Sequence, residues 1–111
     1  MSYFNQDTIA AIATASEMAA AVGVIRISGD RSWEIARKLL RKKNGNEFSA
    51  EEIESHRLYR ANLLGNNNSL IDDGMFVWMK GPHSFTGEDV VELNLHGSPR
   101  ILRLVMKELI Q

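Results

Sequence analysis

Three polar residues, Glu92, Asn94 and His96, alternate with apolar residues near the end of the chain. In a β-strand this alternation places a carboxylate, an amide and an imidazole on one face. A carboxylate accepts two parallel N–H bonds from a planar amidine-like edge, such as N3 and the 2-amino group of a pterin, at roughly 1.5–3 kcal/mol for each charge-assisted bond. The pattern predicts either a polar pocket wall or, more simply, the solvent face of a half-exposed antiparallel strand.

A second candidate is Arg26, which interrupts the β-branched run Val22–Ile27. A charged side chain within a strand costs free energy unless its face is open or its guanidinium is paired. The pattern favours equally an edge-strand arginine that faces solvent and an arginine that contacts a ligand.

The turn before the polar strand has a simpler interpretation. Gly87 permits a tight turn, and the Thr86 hydroxyl is suited to bond nearby backbone amides. Glu88 and Asp89 are adjacent, which does not make them an acid/base pair.

The histidines give no metal pattern. His56 and His83 have no partners at ligand spacing, and the sequence contains no cysteine. His96, which precedes Gly97, is either an orienting group or, more simply, a structural histidine. We therefore predict no catalytic residue and no metal site in this stretch.

Strands must hold both candidate sites. Thr8–Ala13 is a short apolar run that fits a strand or a buried helical turn, and we interpret Thr14–Ala21 as a loop. Val22–Ile27 and Val90–Leu95 predict strands. Arg57–Leu64 and Leu70–Met79 flank a Gly/Asn-rich turn and predict a β-hairpin, whose second strand is apolar on both faces at residues 75–79 and is expected to be central.

Three helices are predicted. Asp30 is a candidate N-cap for a helix with Trp33, Ala36, Leu39 and Leu40 at helical spacing, and basic residues at 38 and 41–43 complement its C-terminal dipole. Ser49 and Glu52 have capping-box spacing for a short helix. Ser98 and Pro99 begin a last helix. Its predicted buried stripe is Ile101, Leu104, Val105 and Leu109. These elements predict an α+β domain with a largely antiparallel sheet and helices packed on it.

The composition fits a single domain spanning residues 1–111. The chain has 111 residues, 44% of them hydrophobic, and a net charge of −1, which disfavours bulk electrostatic binding of a nucleic-acid backbone. We find no basic start typical of a secretory signal and no apolar run long enough to span a membrane. A G-x-x-x-x-G-K-[ST] loop is also missing from these residues, so we do not expect this stretch alone to bind or hydrolyse GTP.

Three ordered motifs resemble the N-terminal region of the MnmE (TrmE) family of tRNA-modification GTPases. Asp7–Thr14 matches a D-T-I-x-A-x-A-T segment, and Gly23–Gly29 matches a G-[IV]-[IL]-R-[IV]-S-G strand. Pro82–Gly97 matches P-x-S-[FY]-T-G-E-D-x-x-E-[IL]-x-x-H-G, and Asp72–Gly74 lies where the family has an acidic turn. Two departures are Ala15–Ala21, where the family has a Pro/Gly-rich loop, and Ser98, where it usually has a second glycine.

The resemblance implies a folate-binding and dimer-forming domain, similar in fold to the folate-binding domain of aminomethyltransferases. By motif position the family's folate contacts fall on Arg26 and Glu92, with 5-formyltetrahydrofolate as the ligand. The helical and GTPase domains of the family, with their GTP, Mg²⁺ and K⁺, are not in this sequence. The full-length relatives are cytoplasmic GTP hydrolases that work with the FAD protein MnmG (GidA). Together they install an aminomethyl-type group at carbon 5 of the tRNA wobble uridine.

Two alternatives remain open at this point. One is a stand-alone folate-dependent one-carbon transfer protein. The other is a structural dimerisation domain whose ligand site has decayed, since the glycine-rich loop is replaced.

We also expect the chain to be a homodimer. We expect it to be one piece of a longer protein, because the last predicted helix has no C-cap signal before Gln111.

Overall fold

The alternating segments of the sequence pair into one antiparallel sheet. A computed structural model describes residues 2–5, 8–13, 20–82 and 87–110. The elements are strands β1 (Ser2–Asn5), β2 (Thr8–Ile12), β3 (Ala20–Ser28), β4 (Leu40–Arg41), β5 (Leu58–Leu64), β6 (Leu70–Met79) and β7 (Val90–Gly97), and helices α1 (Ser32–Ala36) and α2 (Pro99–Leu109). Within the described residues the seven strands lie in the order β1-β2-β3-β7-β6-β5-β4, and all neighbours are antiparallel. The predicted α+β class with a largely antiparallel sheet is confirmed.

The predicted hairpin is formed by β5 and β6. Its register pairs Leu58 with Val77 and Ala61 with Gly74, and the Gly65 N–H donates to the Ser69 carbonyl across the turn at 2.9 Å. Strand β6 lies between β5 and β7, so the interior position predicted from its two apolar faces is confirmed. The acidic segment Asp72–Gly74, which resembles a turn in the family pattern, lies within β6 instead.

Both helices pack on the same face of the sheet. The Trp33 ring of α1 stacks on Trp78 of β6, with centroids 4.7 Å apart and an interplanar angle of 4°. Leu102 of α2 packs over Gly23 of β3, where a Cβ atom would lie only 2.8 Å from a Leu102 methyl group. This close approach explains why a glycine opens the β3 motif. The core under the helices includes the fully buried residues Ile25, Ile27, Phe76, Val91 and Leu93.

The first helix is shorter than predicted. It ends at Ala36, and Asp30 is exposed and is not its N-cap, which is Arg31 without a side-chain cap bond. Leu40 instead pairs with Leu63 as strand β4. The helical spacing of the apolar residues did not require a longer helix. A turn followed by a short strand buries Leu40 as well as a helix would. The basic residues predicted to complement the C-terminal dipole lie beyond the end of the helix, whose last turn has no basic residue. The Arg41 guanidinium donates instead to the carbonyls of residues 37, 38 and 40.

The other helix starts follow the predicted capping. Glu52 accepts hydrogen bonds from the backbone N–H and the hydroxyl of Ser49, at 2.8 and 2.9 Å, around a single 3₁₀ turn at Ala50–Glu52. In α2 the Ser98 hydroxyl accepts the Ile101 N–H at 3.4 Å, and Pro99 is the first helical residue.

Two details of the predicted segments are wrong. The buried stripe of α2 is Leu102, Val105, Met106 and Leu109, whereas Leu104 is 41% exposed. The predicted loop Thr14–Ala21 is overturned at its end, because Ala20 and Ala21 already belong to β3, while residues 14–19 lie outside the described part of the chain. Strand β1 had no counterpart in the prediction.

Candidate functional site

The two charges singled out from the sequence are direct neighbours. In the β3–β7 register Arg26 lies opposite Glu92, and the Arg26 Nε donates to the Glu92 Oε2 at 2.8 Å. The Arg26 side chain is 43% exposed and the Glu92 side chain 18% exposed. Because β3 lies between β2 and β7, Arg26 is not on an edge strand, so that detail of the solvent-facing interpretation is wrong. The pairing offsets the cost of placing charges within two interior strands.

Strand register arranges this face of the sheet in rows. The Glu92 row consists of Ala11, Arg26, Glu92, Val77 and Leu58, which lie side by side across β2, β3, β7, β6 and β5. Successive rows on one face are two residues, or about 6.8 Å, apart along the strands.

The next row, the Asn94 row, consists of Val24, Asn94, Met75 and Arg60. Side chains alternate between faces along a strand, so both rows lie on the face opposite Ile25, Leu93 and the two helices. This face therefore combines an ion pair, an amide and partly buried apolar side chains.

A cavity of about 410 Å³ opens beside the Asn94 row. Its lining comes from β3, β5, β6 and β7: Val22, Arg60, Asp73, Gly74, Met75, Asn94, Leu95 and His96. Gly74 brings the β6 and β7 backbones close together here, because a Cβ atom at this position would lie 2.5 Å from the Asn94 carbonyl oxygen.

His96 is held by a partner that the sequence did not reveal. Asp72 accepts the His96 backbone N–H on Oδ2 at 2.9 Å, and its Oδ1 lies 2.6 Å from the His96 Nδ1. The Asp72 side chain is only 6% exposed, whereas that of His96 is 65% exposed. The hydrogen bond that the Asp72 carboxylate accepts, and then the negative charge of that carboxylate, raise the pKa of His96 above its ordinary value. Asp72 thus orients the imidazole that lines the cavity. The two residues are 24 positions apart in sequence, and no local pattern indicated that they form a pair.

The turn before β7 has a structural role. Gly87 has a φ of 80°, as expected for the glycine of a tight turn. Asp89 accepts the Gly81 N–H on its carboxylate and the Gly29 N–H on its carbonyl, both at 2.8 Å. Asp89 therefore ties two loops together. The predicted bonding of Thr86 and the position of His83 lie outside the described residues.

Within the described ranges no three His, Asp or Glu side chains are grouped in a way that would hold a metal ion. No helix among these residues is long and apolar enough to cross a membrane.

Comparison with known proteins decides the family. The family model for the N-terminus of the GTP-binding protein TrmE matches residues 8–111. This chain belongs to that family. Both rows of the candidate site lie within the matched region of the TrmE family, as does the glycine of β3 that receives α2.

The relatives are named tRNA modification GTPase MnmE. One from Clostridioides difficile (strain 630) is 39% identical over 109 residues, which cover 95% of this chain and 23% of the relative. Another from Legionella pneumophila (strain Paris) is 42% identical over 102 residues, covering 92% of this chain and 21% of the relative. A third from Xylella fastidiosa (strain Temecula1 / ATCC 700964) is 44% identical over 100 residues, covering 90% and 20%. The chain therefore spans about a fifth of the length of these TrmE-family relatives.

Proposed function

We propose that this chain is the folate-binding and dimer-forming module of a GTPase that modifies the wobble uridine of tRNA. The observation that carries the proposal is the Arg26–Glu92 pair, which lies on the sheet face opposite the helices and one row from an open cavity. A purely structural pair would serve equally well on a closed surface, and the neighbouring cavity is what supports a ligand-binding role for this pair.

The chemistry of these groups fits a reduced folate. Glu92 offers a carboxylate, which accepts two parallel N–H bonds from N3 and the 2-amino group of a pterin. Its contact with Arg26 uses one lone pair of one oxygen, and a carboxylate has about four acceptor sites. Arg26 holds Glu92 in a fixed position and adds a positive charge beside it. When bound, 5-formyltetrahydrofolate would supply the one-carbon unit.

The remainder of the proposal concerns the whole protein. We propose that GTP, Mg²⁺ and K⁺ bind in a separate domain, that an MnmG-type FAD protein is the partner, and that tRNA is the substrate. The support is the shared family and the printed name of the relatives. The likeness of this module to the folate-binding domain of aminomethyltransferases is part of the same proposal and is supported by its antiparallel sheet and its motifs.

The stand-alone one-carbon transfer protein remains the alternative, and the coding sequence discriminates between the two. A downstream G-x-x-x-x-G-K-[ST] segment in the same gene supports the GTPase module. A gene that ends without one excludes it.

Folate binding is tested by isothermal titration of the intact protein with 5-formyltetrahydrofolate. Saturable binding with one site per chain is the expected result. No heat of binding at millimolar ligand, with a folded protein, would refute the proposed site and favour a structural domain whose ligand site has decayed.

Dimerisation is proposed on different grounds. The chain is small, so it buries a limited fraction of its surface alone, and large apolar side chains remain exposed, including Val22 at 52%, Leu58 at 53% and Leu70 at 62%. A two-fold homodimer is the most common way to cover such a surface. Sedimentation equilibrium of the intact protein should give twice the chain mass, and a monomer at high micromolar concentration would contradict this.

A further inference from the structure

The cavity beside the Asn94 row continues the proposed pterin site along the strand direction. Glu92, Asn94 and His96 occupy alternate positions of β7, so the carboxylate of the first and the imidazole of the last are four residues, or about 13 Å, apart. Between them lie Met75 and the Asn94 amide, which line the cavity, whereas Val22 lies opposite His96. The face therefore presents the Glu92 carboxylate, then the Asn94 row with Arg60 at its β5 end, and then His96 beside Val22.

The charges around the end of the cavity lined by Arg60 and His96 favour the binding of an anion. The Arg60 side chain of β5 forms no hydrogen bond or ion pair with the other described residues. Asp73 of β6 lies 3.6 Å from the Lys43 Nζ, which offsets its charge. The Asp72 carboxylate is buried and already bonds His96, through the backbone N–H and the imidazole. Among the described residues β3 contributes the apolar Val22 to this end. When His96 is protonated it offsets the charge of Asp72, and the charge left over here is the positive charge of Arg60.

We propose that this cavity is the subsite for the acidic end of the same ligand, with Arg60 and His96 contacting its carboxylates. The proposal rests on the proposed function, since it needs the pterin edge at Glu92. A folate has the matching order of groups: a pterin, an aromatic linker and a glutamate with two carboxylates. The linker lies against Val22 and Met75, and the Asn94 amide lies within the row that it crosses. Arg60 and His96 thereby select ligands with an anionic tail over bare pterins.

The test compares two ligands on the intact protein by isothermal titration. One is 5-formyltetrahydrofolate, and the other is a 5-formyltetrahydropterin without the aminobenzoyl-glutamate tail. Arg60→Gln and His96→Gln should each weaken binding of the tailed ligand roughly two- to fivefold, the scale of an exposed charge pair, and leave the tail-less ligand unchanged. Arg57→Gln is the matched control, since Arg57 is an exposed arginine near the start of β5 that pairs with Glu54 and does not line the cavity.

Salt gives a second readout. Binding of the tailed ligand should weaken as ionic strength rises, and Arg60→Gln should reduce that dependence, because salt screens exposed charge pairs. Arg60 is exposed, so its substitution should leave the fold intact even if the His96 variant is destabilised.

Two failures are distinguishable. If Glu92→Gln leaves both ligands bound as in the wild type, or if neither ligand binds the wild-type protein, the pterin site and the subsite are both refuted. If Glu92→Gln weakens both ligands while Arg60→Gln and His96→Gln leave the ratio of their affinities unchanged, the subsite alone is wrong.

Discussion

Replacement of Glu92 by glutamine is the most informative perturbation of the proposed site. The substitution keeps the shape of the side chain and replaces one acceptor oxygen with an NH₂ donor. That donor would face the N–H groups of the pterin edge, so one charge-assisted bond is lost and two donors oppose each other. The expected loss is about 2–4 kcal/mol, or roughly thirty- to a thousandfold in affinity.

The effect of the same substitution on the fold should be much smaller. The Glu92 carboxylate is also paired with Arg26, but Arg26 is 43% exposed, so solvent screens the pair. An ion pair of this kind contributes at most about 1 kcal/mol to the free energy of unfolding. The structure therefore predicts a change in affinity that exceeds the change in stability several-fold.

The assay is isothermal titration of the intact protein with 5-formyltetrahydrofolate, accompanied by urea unfolding of the same samples. Glu88→Gln is the matched control, because Glu88 is an exposed glutamate in the turn before β7. Arg26→Ala should also weaken binding, since it removes both the positive charge beside Glu92 and the group that positions that carboxylate.

The reasoning is refuted if Glu92→Gln and Arg26→Ala bind as the wild type while their unfolding curves show an intact fold. Both residues would then be a structural ion pair within two interior strands. A loss of affinity equal in Glu92→Gln and Glu88→Gln would also contradict it, because it would trace the effect to net charge.

Three further predictions concern the scaffold. The pKa of His96 is raised in the folded state, so its contribution to the free energy of unfolding is fully present below the unfolded pKa of about 6.5 and is lost as pH rises through the folded value. In urea unfolding, the free energies of wild type and His96→Gln should therefore differ more at pH 6 than at pH 9. Equal differences at the two pH values would exclude the Asp72 contact. Gly74→Ala should destabilise the chain by about 1–3 kcal/mol, because its Cβ atom would meet the Asn94 carbonyl oxygen; Gly65→Ala, whose Cβ atom has no neighbour closer than 3.5 Å, is the control, and equal stabilities would show that the two strands separate without cost. Phe76→Ala should cost about 3–5 kcal/mol in chemical unfolding, since Phe76 is fully buried in an interior strand, and a loss below about 1 kcal/mol would mean that the core collapses around the gap.

Local patterns predicted the elements whose signals agree with one another. The β5–β6 hairpin has a turn composition between two strand-like runs, and α2 has a cap, a first-turn proline and an amphipathic stripe. The end of α1 was missed because Leu39 and Leu40 fit a helix stripe as well as a buried turn and strand. That choice depends on the edge of β5, which supplies the pairing at Leu63 and is distant in sequence.

The site was predictable residue by residue and not as a constellation. Arg26 and Glu92 each break an apolar pattern, so each was recognised alone. Their contact joins positions 66 residues apart and follows from strand order and register, which no local pattern contains. For the same reason the sequence did not reveal Asp72 as the partner of His96. Nor did it distinguish Arg60 from other charged residues in a strand with both polar and apolar positions.

The position of the Arg26–Glu92 pair also bears on how the chain finds its correct strand alignment. Side chains alternate between the two faces of a sheet, so a shift of β3 by one residue against β7 would turn Arg26 toward the helix-covered face and move it away from Glu92. An arginine among Ile25, Leu93 and their neighbours, without its carboxylate, would carry the desolvation cost of an unpaired buried charge. The free energy of the misaligned sheet is thus raised where β3 pairs with β7, two strands that are far apart in sequence. A substitution that makes both positions apolar would remove this penalty, and folding errors would then increase even where the native sheet remained stable.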